Sequence, residues 1–268
     1  MSYYPNEVIL DESYVPPEEG FGLIPRDYAL QPLRVFNPRV AIPIVPMEQW
    51  PQRIAAAEQA KSRLSDIYLK AGWKHLDQGR FGYCWGHAAV HCLMLKRSAM
   101  NLPHVDLSAY AVCGTLVNGA NRGGWSAWAH EKIVQDGCPT QQDWPQGVPM
   151  LQEDAFRRAW QNAKAFRISH EWADVASPYY QRQLSFVQVG SCLLAGEPVA
   201  GDFTWWGHAV ALLDLVDAKP SLPATDPGRY GVRILNSWAN WGERGLGVIT
   251  GSRAIPTNAT VVLGATPS

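Results

Sequence analysis

Cys84 heads the run Cys84-Trp-Gly-His-Ala-Ala-Val-His-Cys92, and the apolar spacing that continues through Leu93 and Leu95 predicts a buried or half-buried helix. A thiol at a helix mouth meets unpaired backbone N–H groups and the positive end of the helix dipole, which favour thiolate over thiol. In that setting cysteine is a nucleophile near neutrality; elsewhere it is a small core hydrophobe. Gln78 lies across a loop punctuated by Gly79 and Gly82. Its amide can turn back and donate to an oxyanion formed beside the sulfur, with the Cys84 N–H as second donor. Cysteine catalysis also needs a base and a group that orients the base. The later chain offers both: Gly207-His208-Ala209-Val210, where a histidine enters an apolar strand, and Ile234-Leu-Asn236-Ser-Trp238, followed by Trp241-Gly-Glu-Arg-Gly245. Nucleophile, imidazole and carboxamide together predict acyl transfer at a peptide or amide carbonyl.

These blocks, in this order, resemble the papain-like cysteine peptidases over roughly residues 66 to 268. Gln78-Gly-x-x-Gly-x-Cys84-Trp85 is similar to the family's oxyanion glutamine and nucleophile block, Gly207-His208-Ala209-Val210 to its histidine block, and Asn236-Ser237-Trp238 to its asparagine block. Gly123-Gly124 is similar to the glycine pair lining the substrate cleft, and Leu107-Ser108 and Asp143-Trp144-Pro145 echo two further landmarks. The resemblance implies a two-lobed α+β fold with the cleft between a helical N-terminal lobe and an antiparallel β-rich C-terminal lobe. It implies an endopeptidase in which Cys84, His208 and Asn236 are catalytic, Gln78 serves the oxyanion and Trp238 shields the His208–Asn236 bond. Gly123, Gly124 and Gly207 would then border the substrate. Trp125 either joins them, in the pocket for the residue two before the scissile bond, or is a core tryptophan.

The departures from the family are specific. Phe81 stands where the family usually has a cysteine bridged to one near Asn121, and Asn121 is no cysteine either. Tyr83 replaces a small residue, and Gly86-His87 replaces an alanine and an aromatic residue. A proline-rich insertion, Lys219 to Gly228, is expected to be a surface loop. A second reading therefore stands beside the first: a non-catalytic binding or structural component built on a peptidase fold, with Tyr83 or the N-terminal arm filling the cleft.

A chain of 268 residues, 47% apolar and 18% charged, can bury a substantial core. Its net charge of -1 and lack of any basic run argue against a nucleic-acid footprint. No apolar stretch reaches the roughly 20 residues that span a bilayer, and Met1 to Leu10 does not read as a signal peptide. Five cysteines without pairing signatures point to a reduced, intracellular protein, or to one carried within a larger assembly. No cofactor is expected. His87 and His91 are spaced like a metal pair, but no glutamate lies between them and no third ligand is apparent, so no metal is expected. His75, His104, His130 and His170 have no supporting context.

Residues 1–51 hold nine of the 20 prolines, with scattered aromatics that include Tyr4, Phe21 and Phe36. Proline fixes the backbone and removes donors, so this segment is read as an extended arm. Its aromatics and the run from Ala41 to Val45 are too apolar for a solvated linker. Three roles are open: packing on its own domain, covering the cleft as an inhibitory prosegment, or docking a partner. Residues 52–268 form the peptidase-like domain, its helical lobe ending near 165. Helices are expected at Gln52–Ala71, from Cys84, at 108–117, 125–135, 151–166 and 180–195. Strands follow at 199–204, 208–216, 230–235, 246–250 and 260–263.

Overall fold

The computed structural model describes residues 3–17, 21–35, 42–169 and 172–267, so Phe36, Ala41 and His170 lie outside the described residues. The elements run β1 (Val8–Leu10), α1 (Trp50–Ala60), α2 (Leu64–Ala71), α3 (Cys84–Ala99), α4 (Ala109–Leu116), α5 (Ser126–Asp136), α6 (Glu153–Ala163), β2 (Trp172–Ala176), α7 (Arg182–Leu194), β3 (Val199–Phe203), β4 (His208–Asp217), β5 (Tyr230–Leu235), β6 (Leu246–Thr250) and β7 (Asn258–Val262). Helices dominate the first half and strands the second, giving the α+β class.

The single helix expected over Gln52–Ala71 is two helices. Lys61 takes a left-handed conformation, φ 53°, and closes α1 by donating its N–H to the carbonyl of Glu58. Asp66 then reaches back to the Arg63 N–H at 3.3 Å and the Arg63 Nε at 2.9 Å, which starts a new helix N-terminus. At Gly72, φ 70°, the second helix stops as the sequence predicts. Ser108 caps α4 by accepting from the Ala111 N–H at 3.2 Å.

The seven strands form one sheet in the order β1-β6-β5-β4-β3-β7-β2. All pairings are antiparallel except β1 with β6, where residues from the arm add a parallel edge strand. β4 shows why the sheet sits where it does. Its side chains alternate, with Ala209, Ala211 and Leu213 in one core and Val210 and Leu212 in the other, until a register shift between Leu212 and Asp214 places Leu215 in the second core as well. A strand buried on both faces reads as a continuous apolar run, as β4 does. On one face lies α3, buried from Cys84 to Arg97 and surrounded by α2, α4 and α5. On the other lie α1 and α7, with Trp50 packed edge-on between Phe186 and Tyr230. Fully burying side chains of this size contributes about 1.5–3 kcal/mol each, so α3 and β4 are fixed against one another from both sides. Residues 219–228 form the expected surface loop, closed by a 2.8 Å bond from the Lys219 N–H to the Arg229 carbonyl.

Candidate active site

Cys84 is the first residue of α3 and is fully buried. The sulfur lies within reach of the backbone N–H of Ala209, the neighbour of His208, which brings the candidate nucleophile and candidate base to the same junction of α3 and β4, with no hydrogen bond formed between the sulfur and His208 Nδ1. His208, the first residue of β4, is paired in register with Phe203 of β3 and is also fully buried. Its Nε2–H donates to Asn236 Oδ1 at 2.7 Å. That bond decides the tautomer: the proton is on Nε2 and the lone pair on Nδ1. Nδ1 has no hydrogen-bond partner among the described residues.

Asn236 is oriented from several directions. Its Oδ1 also accepts the Ser237 N–H at 2.8 Å, its own N–H donates to the Gly245 carbonyl at 2.8 Å, and its carbonyl accepts from His75 Nε2 at 2.7 Å. Trp238 stacks on the imidazole with centroids 4.5 Å apart, and Trp206 meets it edge-on at 4.6 Å. Gln78 is fixed to the same turn, with its N–H on the Ser237 carbonyl at 2.8 Å and its Oε1 accepting from Ser237 Oγ at 2.7 Å. The Gln78 carboxamide nitrogen is therefore the part left to donate. It does so to the carbonyls of Phe81 at 2.9 Å and Phe21 at 3.2 Å.

That second acceptor belongs to the arm. Phe21 to Ile24 run through the cleft between the two glycine positions singled out in the sequence. Phe21 and Leu23 donate their N–H groups to the Gly207 carbonyl at 2.9 and 3.2 Å. Gly124 donates to the Gly22 carbonyl and accepts from the Ile24 N–H, both at 3.0 Å. The Phe21 ring lies 4.2 Å from Trp238 and 5.1 Å from His208. What remains open is a cleft of about 660 Å³ bordered by Phe21, Gly22, Gln78, Gly123 and Trp238, and neither Cys84 nor His208 reaches its walls. Tyr83, the other residue considered as a cleft filler, is turned away: its hydroxyl donates to the Ala120 carbonyl at 2.8 Å and its ring packs on Phe81 and Tyr110.

Covered in this way, both groups are pushed toward their neutral forms. Burial pushes the Cys84 thiol well up and outweighs the bonds that lower it. Burial likewise pushes His208 down to about 3, against the opposing effect of its bond to Asn236. The thiolate expected from the helix dipole alone is thus offset by desolvation. His87 donates from Nδ1 to the Tyr83 carbonyl at 2.9 Å, packs edge-on against Tyr110 and is pushed down to about 4 by burial.

Comparison of sequences finds no matching family model and no matching curated protein. Comparison of folds does find matches. A digestive procathepsin L2 proteinase from Tenebrio molitor larval midgut is similar over 92% of this chain and 78% of that chain, at 15% identity and a TM-score of 0.59. The Amb a 11 cysteine protease, a ragweed pollen allergen in its proform, is similar over 74% of this chain and 63% of that chain, at 15% identity and a TM-score of 0.55. A digestive procathepsin L 3 from the same midgut is similar over 71% of this chain and 66% of that one, at 18% identity and a TM-score of 0.53. The chain spans slightly under two thirds of the length of the latter two.

The fold is papain-like.

Within the papain-like fold, the departures find physical explanations. Where the resemblance places a disulfide near positions 81 and 121, Asn121 instead accepts the Gly82 N–H at 2.7 Å and donates to the Arg80 carbonyl at 3.2 Å. The loop between Gln78 and Cys84 is held by a carboxamide, and all five cysteines are free and buried. Gly124 abuts the Trp85 indole so closely that a Cβ would lie 2.6 Å from it. Trp125 is buried rather than open to the cleft: it stacks on Trp128, which stacks on Trp85, and its Nε1–H donates to Gln31 Oε1 of the arm.

Three residues at the site escape sequence reading. Phe21 and Gly22 carry no local signal of a path through the cleft. Asp202 does carry one, as a lone acid in the apolar strand Val199–Phe203. It is buried, held up at about 6 by desolvation, and accepts from Ser126 Oγ at 2.5 Å and the Ser126 N–H at 3.3 Å. It therefore ties the first turn of α5, beside the glycine pair, to the strand paired with His208.

Proposed function

We propose that this chain is a cysteine endopeptidase acting on peptide or protein substrates through Cys84, His208 and Asn236. The observation that carries the reading is the His208–Asn236 bond, which leaves the lone pair on Nδ1, on a residue whose neighbour Ala209 reaches the Cys84 sulfur. In the reaction His208 Nδ1 takes the Cys84 proton, and the sulfur attacks the peptide carbonyl carbon. Gln78 Nε2 and the Cys84 N–H hold the oxyanion. The imidazolium then protonates the leaving amine, and water, deprotonated by His208, releases the acid from the thioester. Asn236 holds the ring throughout, and Trp238 covers that bond from water.

The second reading, a non-catalytic binding or structural component, is favoured by one observation: the arm occupies the cleft over Cys84 and His208, whose burial disfavours their charged forms. Labelling separates the two. Iodoacetamide near pH 6 is expected to modify Cys84 stoichiometrically and selectively on long incubation, and to lose that selectivity in His208→Ala. Labelling of Cys84 no faster than of the other four cysteines, or unchanged by His208→Ala, removes the peptidase reading.

A further inference from the structure

The arm is built into the body on both sides of the cleft. Upstream, β1 is an edge strand on β6, and Glu7 accepts from Arg233 at 2.6 Å with both side chains 1% exposed. Glu12 accepts from the N–H and hydroxyl of Ser252 at 2.8 and 2.7 Å. Downstream, Arg26 forks onto Asp174 at 2.5 and 3.2 Å, with side chains 1% and 0% exposed, and onto the carbonyls of Gln31 and Pro32. Asp174 also accepts the Arg34 N–H at 2.7 Å. The crossing itself is held differently, by the backbone bonds to Gly207 and Gly124, the Gln78 bond and the packing of the half-buried Phe21, Leu23 and Ile24, with no ion pair.

We propose that the site is regulated by local opening of Phe21–Ile24 as a strap between two anchors that stay seated, rather than by loss of the arm. The proposal rests on the peptidase reading of Cys84. Withdrawing the whole arm takes Glu7 from the buried Arg233, which keeps Asp214 at 3.0 Å, and takes Arg26 from the buried Asp174, which loses the cation that offsets its burial. Lifting the crossing alone exposes Gly207 O, Gly124 N and O, and Gln78 Nε2 to the open cleft, where water or a peptide substrate replaces what was lost. Strap and substrate thus compete for the same groups. Opening also readmits water over Cys84 and His208, the condition under which a thiolate–imidazolium pair forms.

Gly22 is the point at which the strap can be unseated without substituting Cys84, His208, Asn236 or Gln78. Its φ is 105°, and a Cβ there would lie 2.2 Å from the Gly82 carbonyl oxygen. Full-length Gly22→Val cannot seat, whereas Phe21→Ala removes the ring contact without introducing a clash.

The test combines hydrogen exchange with Cys84 labelling by iodoacetamide at pH 6, in wild type and both variants. In Gly22→Val, residues 21–24 and Gly124 are expected to lose protection while 8–10 and 246–250 keep theirs. Labelling of Cys84 should rise about tenfold or more, since its rate follows the open fraction. Phe21→Ala should move both readouts the same way by less, and decides the matter if Gly22→Val does not fold. The proposal is overturned if β1 loses protection together with the crossing, or if wild type labels as fast as a folded variant. Loss of protection at 21–24 with an unreactive Cys84 supports the strap and ends the peptidase reading.

Discussion

Gln78 Nε2 donates to the Phe21 carbonyl at 3.2 Å, so the amide predicted to hold a developing oxyanion instead holds a peptide carbonyl of its own chain. The same amide gives its other bond to Phe81, at 2.9 Å, and its oxygen to Ser237. It is therefore oriented whether or not the arm is present. On the proposed peptidase reading the donor is prepared before any substrate arrives, which is what makes such a group effective when charge develops.

Gln78→Ala follows from this arrangement. Turnover of a peptide substrate is expected to fall on the order of 10²- to 10³-fold, the usual cost of one oxyanion donor. Alkylation of Cys84 by iodoacetamide forms no oxyanion and is expected to fall far less. Equal losses in the two assays would mean that Gln78 acts on the thiol or the local fold and not on the oxyanion.

Asp174→Ala leaves the Arg26 guanidinium, 1% exposed, without its carboxylate. Breaking one partner out of a buried pair costs about 3–5 kcal/mol, well above a surface ion pair. Urea unfolding is expected to show that loss, and Arg26→Met combined with Asp174→Leu to recover part of it. A single-variant cost below about 1 kcal/mol would mean that the downstream anchor of the arm is dispensable.

The residues just discussed divide by how far sequence alone reaches. The Cys84, His208 and Asn236 blocks are legible because each sits in a local pattern: a glycine-punctuated loop into a helix, a histidine entering an apolar strand, an asparagine before a tryptophan. Strands β3 to β6 are legible for the same reason, as short buried runs between turn signals. The break at Lys61–Arg63 is not, because the apolar spacing of α1 continues into α2 and the cause is a side-chain bond from Asp66. β1 and the path of Phe21 are not, because their partners, β6 and Gly207, lie about two hundred residues away and impose no periodicity on the arm. Asn121 lacked the cysteine that would have flagged it, and a carboxamide bonding to two backbone groups has no sequence signature.

Asn121→Ala tests that carboxamide. It removes the bonds to Gly82 N–H and Arg80 carbonyl, each contributing about 0.5–1.5 kcal/mol, from the loop joining Gln78 to Cys84. A loss of about 1–2 kcal/mol in unfolding stability is expected and, on the proposed peptidase reading, a kcat that falls more than KM rises, because the loop would position the oxyanion donor rather than the substrate. Asn121→Asp keeps the acceptor for the Gly82 N–H and should recover part of both. A pure KM effect would assign Asn121 to substrate contact.

Acid stability follows from the buried titratable groups. Burial pushes His87 down to about 4, and His130 and His208 to about 3. In the unfolded chain each takes a proton near its ordinary value of 6.5, so stability present at neutral pH is lost as pH falls below that value. Asp202 has the opposite sign: held up at about 6, it protonates in the folded state before the unfolded carboxyl does near 3.8, and so gains stability between those values. Near pH 5 these four groups leave the unfolded state roughly two protons ahead, a loss on the order of 3 kcal/mol per pH unit at about 1.4 kcal/mol per proton. Chemical denaturation at pH 7, 6 and 5 is expected to show progressive loss, steeper in Asp202→Asn, which lacks the opposing proton. A flat profile from pH 7 to 5 would show that the imidazoles reach water in the folded protein, contrary to a sealed cleft.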